Sequence, residues 1–214
     1  MKHSSVPRFM AFITIGGILN VGLGFAVSAL KLPLYLDSLG TMLATALGGL
    51  WAGILCGLFS AIVGSVHTPT LWAYTGTMLA IAIYTSLLRS FGYLNKLLTT
   101  AFWGLGLGVV CAIISAPVTT YLWKGASLSG TDSVTAFLMA KGWSPFLSAI
   151  LGSLSIDPID KLLTSLVALA LLRTVPSRLQ AGQTESQSSS GCSPRRSPPC
   201  SPPRTLQYNV ILKR

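Results

Sequence analysis

Residues 97–122 read LLTTAFWGLGLGVVCAIISAPVTTYL, and no side chain among them is charged. A helix rises about 1.5 Å per residue, so a run of this length crosses the roughly 30 Å hydrocarbon core of a bilayer. In water the same helix would need protein on every side. Pro117 falls inside it and predicts a kink.

The same pattern recurs along the chain. Apolar stretches lie at 9–30, within 36–66, at 71–88 and at 159–172, separated by short polar breaks. Gly48–Gly49 divides 36–66 into two short helices. The expectation is an all-α membrane protein, a bundle of six transmembrane helices. Its second, third and last helices are short for a bilayer core, which fits either little tilt or ends set in protein-lined cavities. The stretch 133–156 is apolar but interrupted by Lys141, Gly142 and Pro145. It reads as a long outer loop before the last helix, with short helices at the interface. The alternative is a further span, which would put the two termini on opposite sides.

Composition agrees. Apolar residues make up 51% of the 214 and charged residues 9%, with mean hydropathy +0.65. A soluble domain averages about 25% charged residues. Cys56 and Cys111 sit in apolar runs as small core residues, and with Cys192 and Cys200 they form no metal or disulfide spacing. The basic start Met1–Arg8 resembles that of a signal peptide, but the apolar run after it is long and ends in no clear cleavage site. A retained first helix is expected.

Charge placement supplies an orientation. With the N-terminus in the cytoplasm, Lys2, Arg8, Arg89, Lys96, Arg173, Arg178 and the basic residues of the tail fall inside, joined only by Glu185. Lys31, Lys124, Lys141 and Lys161 fall outside and balance Asp37, Asp132, Asp157 and Asp160. The whole net charge of +10 then lies on one face, as the positive-inside tendency requires. The basic balance is thus a topology signal, and nucleic acid is not an expected partner. Residues 1–8 become a cytoplasmic N-terminus, 9–175 a six-helix domain, and 176–214 a cytoplasmic tail. Ser, Pro and Arg dominate that tail, which predicts disorder and attraction to anionic lipid.

Three helices carry small residues at every fourth position: Gly16, Asn20, Gly24 and Ser28; Gly49, Gly53, Gly57, Ala61 and Ser65; Gly104, Gly108, Ala112 and Ala116. Such faces let helices approach closely in lipid. They serve either packing within the bundle or docking of a separate membrane subunit. No nucleophile elbow, phosphate loop or metal-protease motif is present, so neither catalysis nor a cofactor is expected.

The remaining polar and aromatic residues gather at the outer ends of the helices. Asp37 either caps the second helix or contacts a ligand. His67 is either solvated or a ligand contact. Trp72 and Tyr74 open the fourth helix, and Tyr121 and Trp123 close the fifth. These aromatics belong to an interfacial belt or stack on a flat heterocycle. Asp157, Pro158, Asp160 and Lys161 open the last helix, either as a cap with an Asp157–Lys161 ion pair or as a polar cluster that orients a ligand.

The stretches LPLYLDSLGT (32–41), LGGLWAG (47–53), GTDS (130–133) and DPIDK (157–161) resemble the substrate-binding S components of energy-coupling factor (ECF) vitamin transporters. That resemblance covers roughly residues 8–175. It implies a six-helix subunit that captures a vitamin or its precursor from outside, with riboflavin-like compounds favoured. Biotin, thiamine precursors, pantothenate and cobalamin stay open. It implies as partners a transmembrane coupling subunit and two cytoplasmic ATPases in the cell membrane. Family members dock through a small-residue face of the first helix, which here corresponds to Gly16, Asn20 and Gly24. The substrate contacts expected are Asp37, Thr41, His67, Trp72, Tyr74, Tyr121, Asp157, Asp160 and Lys161. Two other readings compete. A membrane sensor would need an output domain, and a packing scaffold would bind no small molecule. A membrane enzyme is disfavoured, because its charges would face one another within the bundle.

Overall fold

The computed structural model describes residues 5–30, 34–91, 97–125 and 132–175. Every regular element among them is helical: α1 (Ser5–Ala29), α2 (Leu39–Gly48), α3 (Leu50–Gly64), a short 3₁₀ segment (Pro69–Tyr74), α4 (Thr75–Ser90), α5 (Leu97–Trp123), α6 (Asp132–Ala140) and α7 (Pro145–Thr174). They belong to one unit, Met1–Pro176. The tail expected to be disordered, from residue 176 onward, lies outside the described residues.

Three helical stretches are long and apolar enough to cross a membrane: Val6–Ala29, Pro69–Ser90 and Leu97–Trp123. Their outward residues include Ile15, Ile18, Leu98 and Phe102, each well exposed. An apolar exterior is what a lipid-facing surface requires. α2 and α3 are short, at 10 and 15 residues. Their break falls at Gly49, whose φ of 84° suits a residue without a Cβ. Pro117 lies inside α5 without ending it.

The region before the last helix differs from the expectation. A short helix, α6, occupies 132–140 as the expected interfacial helices would, but α7 begins at Pro145 rather than near residue 159. The signal is local. Ser144 takes the N-cap position, its Oγ accepts from Leu147 N at 3.4 Å, and Pro145 occupies the first helical turn. Asp157, Asp160 and Lys161 therefore sit mid-helix rather than at a helix start. They are 5%, 0% and 4% exposed, so these charges face the bundle and not an outer surface. Pro158 is accommodated because it meets α5 at Gly108, where a Cβ would collide with the proline backbone.

All three small-residue stripes are used inside the chain. A Cβ at Gly104 would strike Ser165 on α7, and Ala112 and Ala116 are fully buried beside it. Gly53 meets Thr45 of α2 and Ala82 of α4, and Gly57 meets Met78. On α1, Gly16 faces the Gly40 carbonyl and the Cys56 sulfur. Of the expected docking face Gly16–Asn20–Gly24, the first two residues are turned inward onto α2 and α3. Farther along the same face Gly24 is half-buried near Asp37 and Ser28 is exposed.

Asn20 explains why a polar residue stands on that face. It is 1% exposed. Its Nδ2 donates to Thr41 Oγ1 at 2.9 Å and Ser60 Oγ at 3.0 Å, and its Oδ1 accepts from Gly40 N. Gly40 lies in the first turn of α2, where backbone N–H groups have no partner within the helix. Asn20 therefore caps α2 from α1 and ties three helices together. Asp37 does not cap α2: Ser38 is the N-cap residue, and no side-chain cap bond is made there.

Candidate functional site

The helices surround a cavity of about 550 Å³. It is reached by the C-terminal parts of α1, α3 and α5, by the first half of α4, by Ser133 of α6 and by the middle of α7. The cavity therefore occupies the half of the bundle toward the α1–α2, α3–α4 and α5–α6 connections. Met78, Ile81 and Cys111 belong both to its floor and to the hydrophobic core beneath.

Its polar wall is built from two places far apart in sequence. The segment entering α2 contributes Tyr35 and Asp37, and α7 contributes Ser153, Asp157 and Lys161. The α7 residues are spaced by four, so they share one helix face. Lys161 Nζ donates to Asp160 Oδ2 at 2.7 Å and to Ser38 Oγ at 3.0 Å. Asp160 Oδ1 accepts from Tyr35 N at 2.9 Å and Leu36 N at 3.0 Å. The partner of Lys161 is thus its neighbour Asp160, not Asp157 four residues away. A buried ion pair endures only when its remaining lone pairs and protons are also satisfied. Here two backbone N–H groups and a serine do that. Leu36 has φ 40°, an unfavourable conformation for a residue with a Cβ. The bond from its N–H to Asp160 helps hold the segment in that shape.

Hydroxyls line the upper wall. Tyr74 OH lies 2.9 Å from Thr119 Oγ1, joining the 3₁₀ segment to α5. Ser115 Oγ donates to Ser153 Oγ at 3.4 Å, joining α5 to α7. Thr77 Oγ1 is buried and has no hydrogen-bond partner among the described residues. Near the mouth the rings of Phe25 and His67 stand 5.7 Å apart, linking α1 to the turn after α3.

Of the residues expected to contact a ligand, Asp37, His67, Tyr74, Asp157 and Lys161 line this cavity. The other four do not. Thr41 is fully buried and committed to Asn20. Asp160 lies behind Lys161 as its counter-ion. Trp72 and Tyr121 point outward, at 59% and 79% exposed. Their exposure fits the competing reading of those aromatics, an interfacial belt. Tyr35, Thr77, Ser115, Thr119 and Ser153 went unnoticed in the sequence. The four-residue spacing of Ser115 with Thr119, and of Ser153 with Asp157 and Lys161, was the available signal.

Among the described residues no group of His, Cys, Asp and Glu has the arrangement of a metal centre. The arrangement can bind and orient a small molecule: mostly apolar walls, a few fixed polar groups and one charged corner. Compared with family models, with curated proteins and with solved structures, the chain matches none.

Proposed function

We propose that the protein is the substrate-binding subunit, or S component, of an ECF-type importer, capturing a vitamin or vitamin precursor from outside the cell. The observation that carries this reading is the convergence of two stretches on one cavity. LPLYLDSLGT (32–41) supplies Tyr35 and Asp37, and DPIDK (157–161) supplies Asp157 and Lys161. These are the segments on which the resemblance to S components rests. They are about 120 residues apart along the chain, yet the hydrogen bonds from Tyr35 N and Leu36 N to Asp160 lock them together.

In this reading α1, α2, α3, α4 with its 3₁₀ lead-in, α5 and α7 are six spans, and both termini are cytoplasmic. α6 lies at the outer interface. The cavity then opens toward the outside, on the face suited to capture. The chain hydrolyses no nucleotide itself. It delivers its ligand by docking to a transmembrane coupling subunit with two ATPases, and it does so through a surface other than the packed Gly16 and Asn20.

The test is to purify the protein in detergent, extract it, and identify co-purified vitamins by mass spectrometry. Binding of each hit and of a vitamin panel is then measured. Binding of one panel member in the micromolar range or tighter, together with recovery of an ATPase pair in a pull-down, supports the proposal. An empty cavity that takes up none of the panel defeats it.

A further inference from the structure

We infer that the ligand of this cavity carries a positively charged nitrogen, seated against Asp37 and Asp157. The inference rests on the proposed small-molecule capture and adds to it the class of ligand. It follows from counting which charges are already matched. Lys161 and Asp160 form a closed unit: the ammonium uses Asp160 and Ser38, and the carboxylate uses the ammonium and two backbone N–H groups. Two carboxylates then remain on the cavity wall, Asp37 and Asp157. Neither makes a salt bridge among the described residues. Asp157 is 5% exposed, with the Ser115 hydroxyl beside it. Asp37 and Asp157 each feel the charges of Asp160 and Lys161, and Asp157 feels that of Asp37 as well.

Burying an ionised carboxylate away from water is costly unless an opposite charge comes with it or the group takes up a proton, which an incoming cation displaces. The three carboxylates share one ammonium, so the cavity lacks positive charge. An organic cation supplies it. The walls suit such a ligand in a second way. Tyr35, Tyr74, Phe25 and His67 present aromatic rings to the same space, and a cation is attracted to ring faces. The charge count turns the expectation away from a neutral flavin.

The experiment is equilibrium binding to the full chain in detergent, with two sets of probes. The cations are thiamine, pyridoxamine, 1-methylnicotinamide and choline. The neutral and anionic set is riboflavin, biotin and pantothenate. The expected result is binding of at least one cation, weakened about tenfold or more by Asp157→Asn or Asp37→Asn, as befits loss of a charge-assisted contact. Binding confined to the neutral and anionic set overturns the inference and leaves the capture proposal standing. Binding of none of the seven overturns both. Cation binding undiminished in both folded variants overturns the inference as well. Should neither variant fold, the charge selectivity of the unaltered protein decides.

Discussion

At the scale of single residues, the buried polar groups of this bundle act as fasteners as well as cavity lining. Asn20 satisfies Gly40 N, Thr41 Oγ1 and Ser60 Oγ at once. Asn20→Leu fills similar space but strips all three partners. The expected cost is about 2–4 kcal/mol, since each buried group left unmet costs about 1–3 kcal/mol and lipid-facing reference states recover part of it. Thermal unfolding in detergent, followed by tryptophan fluorescence, reads this as a lower Tm; a Tm equal to that of the unaltered protein would refute the fastening role. Lys161 poses a different problem. Lys161→Met leaves Asp160 buried without its counter-ion, and breaking such a pair costs about 3–5 kcal/mol. The double change Lys161→Met with Asp160→Asn removes both charges and keeps an acceptor for Tyr35 N and Leu36 N. It is expected to be more stable than the single change, and a double-mutant cycle measures the difference. If the double variant is the less stable of the two, the pair is not the coupled unit described.

At the scale of elements, glycine decides which helices touch. Gly108 has the Pro158 backbone against it, whereas Gly22 has open space and Gly76 only Ile114 at 4.0 Å. Gly108→Val is therefore expected to force α5 and α7 apart and prevent recovery of folded protein. Gly22→Ala is expected to be neutral or slightly stabilising, because alanine favours the helix by about 1 kcal/mol over glycine. Size-exclusion profiles of the two purified variants separate these outcomes. A monodisperse Gly108→Val protein would show that the contact is dispensable. Much of this was legible in the sequence: the uncharged run of α5, the Gly48–Gly49 break and the four-residue stripes all follow from local pattern. Two features were not. The start of α7 was hidden because Pro158 and three charges in five residues resemble a helix opening. Only the glycine face of α5 makes room for that proline mid-helix. The direction of the α1 stripe was hidden because spacing says that residues share a face, not which neighbour it meets. Asn20 was the clue, since a buried amide needs partners that only α2 and α3 supply.

At the scale of the molecule, the site was half legible for the same reason. Asp37, Asp157 and Lys161 are chemically conspicuous, whereas the hydroxyls of Ser115, Thr119 and Ser153 acquire meaning only when α5 and α7 lie side by side. That packing also relates the cavity to the charges at the helix ends. Arg8, Arg89 and Arg173 close the ends of α1, α4 and α7 that lie away from the cavity, whereas Lys124, Asp132 and Lys141 lie near the α5–α6–α7 connections. The basic ends and the cavity thus occupy opposite halves of the bundle. A positive-inside orientation places the cavity outside. Cysteine labelling on intact cells tests this directly. In a variant with all four native cysteines replaced by alanine, Lys124→Cys and Lys141→Cys are expected to react with a membrane-impermeant maleimide. Phe91→Cys and Val175→Cys are expected to react only after lysis. Labelling of positions 91 and 124 from the same side would mean that α5 does not cross the bilayer, and the six-span topology would fall. The opposite pattern, with 91 and 175 labelled on intact cells, would keep the spans but turn the cavity toward the cytoplasm, and capture from outside would have to be abandoned.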